Sequence, residues 1–426
     1  MGLTVSPVSK LRGSFSVSGD KSITHRAFIF SSISRSEVFV RNPNRGEDVM
    51  RTLVAMRSVG AKAREEKDGF YIKGIGLSNV KEPENILYCG NSGTTMRLLS
   101  GLFAGINGKL FIADGDESLK KRPMKRVIEP ISLMGGKIWG RRGNAFAPLA
   151  IKGAKLHGIS YKMKVASAQV KSAIILAALS ADGKTVIDEK ARSRNHTEIM
   201  LKEFGGKIET NGKITVYPTD NLRYDELFVP GDFSSAAYFI ALALIAKDAD
   251  IVIKNVGVNP TRSYFVNKLK DAGGRIELFN RRIENGEPVC DISVKSSHLH
   301  GISVDASEVP LLIDEIPLIG VIGAFSEGKT VVRGASELRV KESDRIKLTV
   351  SNLKSLGIEA EEFEDGFSVK GGKAKYGFVK TAFDHRIALS FIIFALAGEG
   401  AEIEEVKSIN ISFPEFFDIL ERVKNG

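Results

Sequence analysis

Cysteine and glutamine are nearly absent from this chain of 426 residues, which carries two cysteines, Cys89 and Cys290, and a single glutamine, Gln169. Two cysteines cannot make a disulfide framework, and no Cys/His cluster has zinc-ligand spacing. Both thiols are therefore read as reduced and incidental, and neither a metal nor another cofactor is expected. No apolar run approaches the ~20 residues needed to cross a membrane. The segment from Met1 to Lys10 has neither the apolar core of a signal peptide nor the Arg- and Ser-rich character of a transit peptide, so a cytoplasmic protein, mature from its first residue, is expected.

What is present is a globular balance, with 43% apolar and 26% charged residues. The length is too great for one ordinary core and predicts two or three domains. The net charge of +10 fits either a nucleic-acid face or a cleft for small anions. Basic runs such as Lys120–Arg122, Arg141–Arg142 and Arg281–Arg282 are short and scattered, as on a solvated surface, so charge alone decides nothing.

Repetition is more informative. A helix running into glycine and a short strand recurs at Met56-Arg-Ser-Val-Gly-Ala-Lys, Leu133-Met-Gly-Gly-Lys-Ile, Leu201-Lys-Glu-Phe-Gly-Gly-Lys-Ile, Leu269-Lys-Asp-Ala-Gly-Gly-Arg-Ile and Leu353-Lys-Ser-Leu-Gly-Ile-Glu. Glycine suits the left-handed cap that ends a helix. Between these copies stand polar heads followed by long apolar runs. The heads are Asp20-Lys-Ser-Ile-Thr-His-Arg26, Asn91-Ser-Gly-Thr-Thr-Met-Arg97, Ser167-Ala-Gln-Val-Lys171, Asp232-Phe-Ser-Ser235, Asp314-Glu-Ile-Pro317 and Asp384-His-Arg386. Runs apolar on nearly every face predict buried helices. Six α/β units follow, three in each of two domains, with a boundary at Val229-Pro230-Gly231. Ser, Thr and Asp at a helix start are ordinary N-caps. Five Lys or Arg among the six heads go beyond capping and point to a multi-anion site built from helix N-termini.

At these heads the chain resembles the enolpyruvyl transferase family, and within it the 5-enolpyruvylshikimate-3-phosphate synthases. The likeness runs the whole length through Gly19-Asp-Lys-Ser-Ile-Thr-His-Arg26, Gly90-Asn-Ser-Gly-Thr-Thr-Met-Arg97, Lys121-Arg-Pro123, Ser167-Ala-Gln169, Arg339-Val-Lys-Glu-Ser-Asp-Arg345 and Asp384-His-Arg386. It implies a two-domain inside-out α/β barrel of six repeated units. Residues 1–18 and 230–426 would form one domain and 19–229 the other, with the active site in the cleft between them. It also implies transfer of the enolpyruvyl group of phosphoenolpyruvate to the 5-hydroxyl of shikimate-3-phosphate, with release of phosphate through a tetrahedral intermediate. The expected partners are these two small anions, with no nucleic acid and no membrane, and the expected state is a monomer.

The resemblance also assigns residues. Arg345 and Arg386 would hold the phosphoenolpyruvate carboxylate, because planar guanidinium forks match carboxylates. Lys21, Arg122, the Gly93 N–H and Gln169 would hold its phosphate, while His385 either polarises that phosphate or supports its neighbours. Ser22 and Arg26 would take the shikimate hydroxyl and carboxylate. Ser167, the Ala168 N–H and Ser193 would take the 3-phosphate, with Lys21, Gln169 and Lys341 also near this substrate. Arg97 is expected to orient a neighbouring loop. Addition to the enol needs a base at the 5-hydroxyl and an acid at C3. Asp314 is the expected base, and Glu342 or Lys21 the acid.

The match departs at Ile411, where many relatives carry a lysine that contacts phosphate. Gly19-Asp-Lys-Ser, Ser167-Ala-Gln-Val-Lys, Arg194-Asn-His-Thr-Glu198 and Asn259-Pro-Thr-Arg262 resemble the family's second subgroup. The sister activity, transfer to UDP-N-acetylglucosamine, is the alternative. That enzyme usually has a reactive cysteine within the stretch matched by Asp114–Lys121, which has none here. Gly323-Ala-Phe-Ser-Glu-Gly-Lys-Thr330 fits the phosphate-loop pattern of nucleotide hydrolases. Such a loop needs a strand before it and a helix after it, the reverse of the order expected here.

Overall fold

The glycine-ended helices close as the sequence predicts in the computed structural model, which describes residues 2–189 and 192–425, with only the backbone at 411. Helices Glu47–Ser58, Lys125–Leu133, His196–Glu203, Tyr264–Asp271 and Arg345–Ser355 run into Gly60, Gly135, Gly205, Gly273 and Gly357. These glycines have φ of 117°, 93°, 81°, 96° and 81°. A side chain there would cost ~1–2 kcal/mol, so glycine ends the helix and turns the chain into its strand.

The six apolar runs are helices α1 (Lys21–Ile33), α2 (Gly93–Ala104), α3 (Ala168–Ala178), α4 (Phe233–Ile245), α5 (Ile316–Ala324) and α6 (His385–Ala397). In α4 every residue from Phe233 to Leu244 is buried. Five of the six starts are capped by a side chain, from Asp20, Ser92, Ser167, Asp232 and Asp384. Helix α5 follows Glu315 without a side-chain cap. Capping is thus the rule at these heads.

Among the described residues the strands form six sheets. In one, Glu226–Phe228 runs parallel to Glu37–Arg41, which pairs antiparallel with Gly69–Lys73, and that strand pairs antiparallel with Lys62–Glu66. Four other sheets repeat this order; the sixth has three strands and takes Leu3–Val5 as an antiparallel edge beside Ala401–Ile403. Strands such as Phe146–Lys152 alternate buried and half-buried residues, as expected where one face packs on helices.

The chain divides into two compact units. One takes the chain up to Ser18, Pro230–Ile283 and everything from Pro288; the other takes Gly19–Val229 and Glu284–Glu287. Each holds three sheets around its own apolar core, one including Phe28, Phe103 and Leu176, the other Phe239, Ile319 and Phe391. Apolar helices inside and sheets outside make this an inside-out α/β fold. The helices meet closely: a Cβ on Gly101 of α2 would lie 2.1 Å from the Ala173 carbonyl oxygen of α3.

Residues 323–330 are the end of α5, a turn and strand Lys329–Val332, so the phosphate-loop pattern there is accidental. No helix among the described residues is long and apolar enough to cross a membrane. Cys89 and Cys290 are unbonded and buried, and burial pushes their thiols up to about 12 and about 11.

Candidate active site

In the unit built on Gly19–Val229, Asp20 caps α1 and leaves Lys21 at its first turn. Lys21 Nζ lies 2.6 Å from Asp48 Oδ2. Asp48 escaped the sequence reading because an acid in the first turn of a helix is commonplace. Gly93 opens α2, and a Cβ on it would stand 3.1 Å from Arg97 Nη1 and 3.4 Å from Arg122 Nη1. Two guanidinium groups therefore converge on a helix N-terminus, an arrangement that favours an anion. The Gly93 N–H donates to Asn91 O at 3.0 Å in this structure. Arg122 donates to Asn91 Oδ1 and, at 3.4 Å, to Ser118 Oγ. Gln169 accepts from Arg97 through Oε1 and donates to Thr94 Oγ1 at 2.9 Å. Arg97 also donates to Pro123 O at 3.3 Å. Gly93, Arg97, Arg122 and Gln169 thus form one cluster at the start of α2.

Arg26 lies one turn beyond Ser22 and is buried. Its Nε donates to Thr197 Oγ1 at 2.5 Å, Nη1 to Ser22 O at 2.8 Å and Nη2 to Ser172 Oγ at 2.7 Å. Burial pulls its pKa down to about 10, against the opposing charges of Glu198 and Asp20. Ser167 caps α3 and leaves the Ala168 N–H at the helix start. Ser193 donates to Glu189 Oε1 at 2.6 Å.

One expectation fails here. Lys171, counted among the cations of the heads, is 1% exposed and paired with Glu189 at 3.0 Å and Glu198 at 2.7 Å. A buried ammonium must be paired, and this one neutralises two carboxylates rather than facing a ligand.

In the other unit Asp314 is ringed by arginine. Its carboxylate lies 3.4 Å from Arg386 Nε, 3.9 Å from Arg262 Nη1 and 4.0 Å from Arg345 Nη1. Arg386 also donates to the Asp314 carbonyl at 2.9 Å. Arg345 is held by the fully buried Asp384, Nε to Oδ2 at 2.8 Å, and pairs with Glu342. Burial opposes the charge of Arg345 and Arg386, but their carboxylate neighbours outweigh it and hold both guanidinium groups above the ordinary range. Burial likewise works against the charge of Asp384, and Arg345 overcomes it, so this carboxyl stays below the ordinary range.

Ser343 donates to Asp384 Oδ2 at 2.9 Å. His385 begins α6 beside Asp384 and is buried. Lys341 sits one residue before Glu342 and pairs with Glu337 at 2.9 Å. Arg262 and Asp384 lie within the motifs, but the sequence alone gives neither a role. Their signal was a buried cation and a capping acid, which only packing reveals. Arg262 joins the ring through Asp232 at 3.3 Å and Ser234 Oγ at 2.9 Å. The side chain of Ile411 lies outside the described residues.

The sequence profile of EPSP synthase (3-phosphoshikimate 1-carboxyvinyltransferase) matches residues 5–420. The chain is 45% identical over 428 residues to the 3-phosphoshikimate 1-carboxyvinyltransferase of Pelobacter propionicus, covering 100% of this chain and 99% of that one. It is 47% identical over 420 residues to the enzyme of that name from Thermoanaerobacter sp., covering 98% and 99%. The solved EPSP synthase of Acinetobacter baumannii matches with a TM-score of 0.88 at 40% identity, covering 99% of this chain and 97% of that one. Motif order, fold and full-length likeness agree, and the chain belongs to the EPSP synthase family.

Proposed function

We propose that the two clusters act on one pair of substrates. The protein is a 3-phosphoshikimate 1-carboxyvinyltransferase of the shikimate pathway. It moves the enolpyruvyl group of phosphoenolpyruvate onto shikimate-3-phosphate and releases phosphate. On our reading Arg345 and Arg386 hold the phosphoenolpyruvate carboxylate, and Lys21, Arg122, Gln169 and the Gly93 N–H hold its phosphate, with His385 supporting Asp384 and Arg386. Ser22 and Arg26 take the shikimate ring, while Ser167, Ala168 and Ser193 take the 3-phosphate, with Lys341 alongside.

The 5-hydroxyl adds to C2 as Asp314 receives its proton and C3 gains one. Loss of phosphate from C2 then returns a proton from C3 and restores the double bond. On this reading Lys21, an ammonium held by Asp48, is the donor to C3. Glu342 is ion-paired with Arg345 and suits the reverse role, accepting the proton in the elimination. The observation that carries this reading is the Asp314 carboxylate within 4.0 Å of three arginines. A base needed at a hydroxyl and forks needed for a carboxylate are thereby brought together.

The sister transfer to UDP-N-acetylglucosamine is not favoured, because the relatives named above are 3-phosphoshikimate enzymes. A coupled phosphate-release assay tests the assignment. Phosphate is expected only when phosphoenolpyruvate and shikimate-3-phosphate are both present. Turnover with UDP-N-acetylglucosamine instead, or none in folded protein, would sink it. We read the enzyme further as a cytoplasmic monomer without membrane partners, and its scattered basic residues speak against a nucleic-acid partner; sedimentation as a dimer would correct the first part.

A further inference from the structure

Two rungs join α1 to helix Glu47–Ser58. Lys21 Nζ meets Asp48 Oδ2 at 2.6 Å, and one turn further along both helices His25 Nδ1 meets Thr52 Oγ1 at 2.7 Å. Residues four apart share a helix face, so the rungs lie side by side. Thr95 of α2 ties them together. Its Oγ1 is 2.6 Å from Thr52 Oγ1, 2.7 Å from Ser92 Oγ and 3.3 Å from the Asp48 carbonyl. His25, Thr52, Ser92 and Thr95 are all fully buried.

The proton order in this ladder follows from its ends. The Asp48 carbonyl can only accept, so the Thr95 hydroxyl donates to it. Thr95 Oγ1 then accepts from Thr52 and from Ser92. Thr52, having directed its proton to Thr95, must accept from His25, which places the imidazole proton on Nδ1. His25 Nε2 is buried and has no hydrogen-bond partner, as suits a bare lone pair better than a second N–H. Burial first, then Lys21 and Arg26, hold His25 well below its ordinary pKa, with Asp20 acting the other way, so the ring is neutral.

The ladder ends on two groups assigned above to one phosphate. Asp48 holds Lys21, and Ser92 caps the helix that Gly93 opens. We propose that His25 is a positioning residue for the phosphoenolpyruvate phosphate site, acting through Thr52 and Thr95 to fix Lys21 relative to Gly93. The inference rests on the assignment of Lys21 and Gly93 to that phosphate. An apolar ring would fill the same space as imidazole, so packing alone does not call for a nitrogen here.

Three variants and one spectrum test it. His25→Phe keeps a ring without the donor, and Thr52→Val cuts the next link. His25→Asn places an N–H the same number of bonds from Cβ as Nδ1. His25→Phe and Thr52→Val are each expected to lower kcat/KM for phosphoenolpyruvate about tenfold, chiefly through KM, and the double variant no further. KM for shikimate-3-phosphate should stay within about twofold, and His25→Asn should stay within about twofold of the parent throughout.

Nitrogen-15 spectra of the labelled parent, with the His25 signal identified by its loss in His25→Asn, should show a proton on Nδ1 and none on Nε2 at neutral pH. Parental kinetics in His25→Phe, equal damage in His25→Asn, or an Nε2–H tautomer would each overturn the proposal. Should His25→Phe unfold, Thr52→Val and the parent spectrum still decide. The spectrum reads the ladder without catalysis, whereas an unchanged KM for phosphoenolpyruvate in Lys21→Met would strike the phosphate assignment instead.

Discussion

Arg345 is locked in place by Asp384, its Nε donating to Oδ2 at 2.8 Å with both side chains buried. The same carboxylate caps α6 by accepting from the Arg386 N–H at 2.9 Å. One acid thus sets the two arginines read as the carboxylate fork. Removing it in Asp384→Ala leaves Arg345 buried with its main partner gone. We expect a loss of about 3–5 kcal/mol in denaturant unfolding, together with a raised KM for phosphoenolpyruvate. Asp384→Asn, which keeps an acceptor for the cap, should lose less stability while raising KM comparably. Parental stability in Asp384→Ala would contradict the lock.

Gly93 leaves room at the start of α2. A methyl group there would press on Arg97 Nη1 at 3.1 Å and Arg122 Nη1 at 3.4 Å, both ends of flexible side chains. Gly93→Ala should therefore fold normally and raise KM for phosphoenolpyruvate about tenfold, with kcat less affected. Steady-state kinetics beside a thermal melt will check this, and an unchanged KM would remove Gly93 from the phosphate site.

Ala382 and Phe383 have φ of 49° and 57°, a left-handed pair without glycine, immediately before Asp384. Phe383 is 73% exposed, so little packing holds it there. Asparagine tolerates this conformation better than a bulky aromatic. Phe383→Asn is expected to stabilise the protein by about 1 kcal/mol, read as a raised Tm. A fall in Tm would show that the ring has a packing role.

His25 gives a pH signature. Its folded pKa is depressed below 6.5, so the unfolded chain binds a proton that the folded chain refuses. The contribution is complete above pH ~6.5 and is lost as pH falls through that value towards the folded one. Urea midpoints should therefore fall more steeply on acidification in the parent than in His25→Asn. Parallel curves would show that His25 is not held neutral.

Much of this was legible beforehand because repetition exposes backbone needs. The glycines at 60, 135, 205, 273 and 357 had to be left-handed, and the apolar runs had to be buried. The arginines at 345 and 386 were legible because the ordered motifs resemble a family with two anionic substrates. Asp48 and Arg262 were not, since an acid in a first turn and a lone arginine read as surface charge until packing buries them. Lys171 misled for the converse reason. Its head position suggested a ligand, but the partners that claim it, Glu189 and Glu198, lie 18 and 27 positions further on.

The most direct test of the central claim is the initial rate of phosphate release from phosphoenolpyruvate and shikimate-3-phosphate, together and with each omitted, in the parent and in Asp314→Asn. The account expects release from the parent only with both substrates. It expects a loss of about 10²–10⁴ in kcat for Asp314→Asn in protein that still folds. Parental turnover in Asp314→Asn, or release that ignores shikimate-3-phosphate, would contradict it.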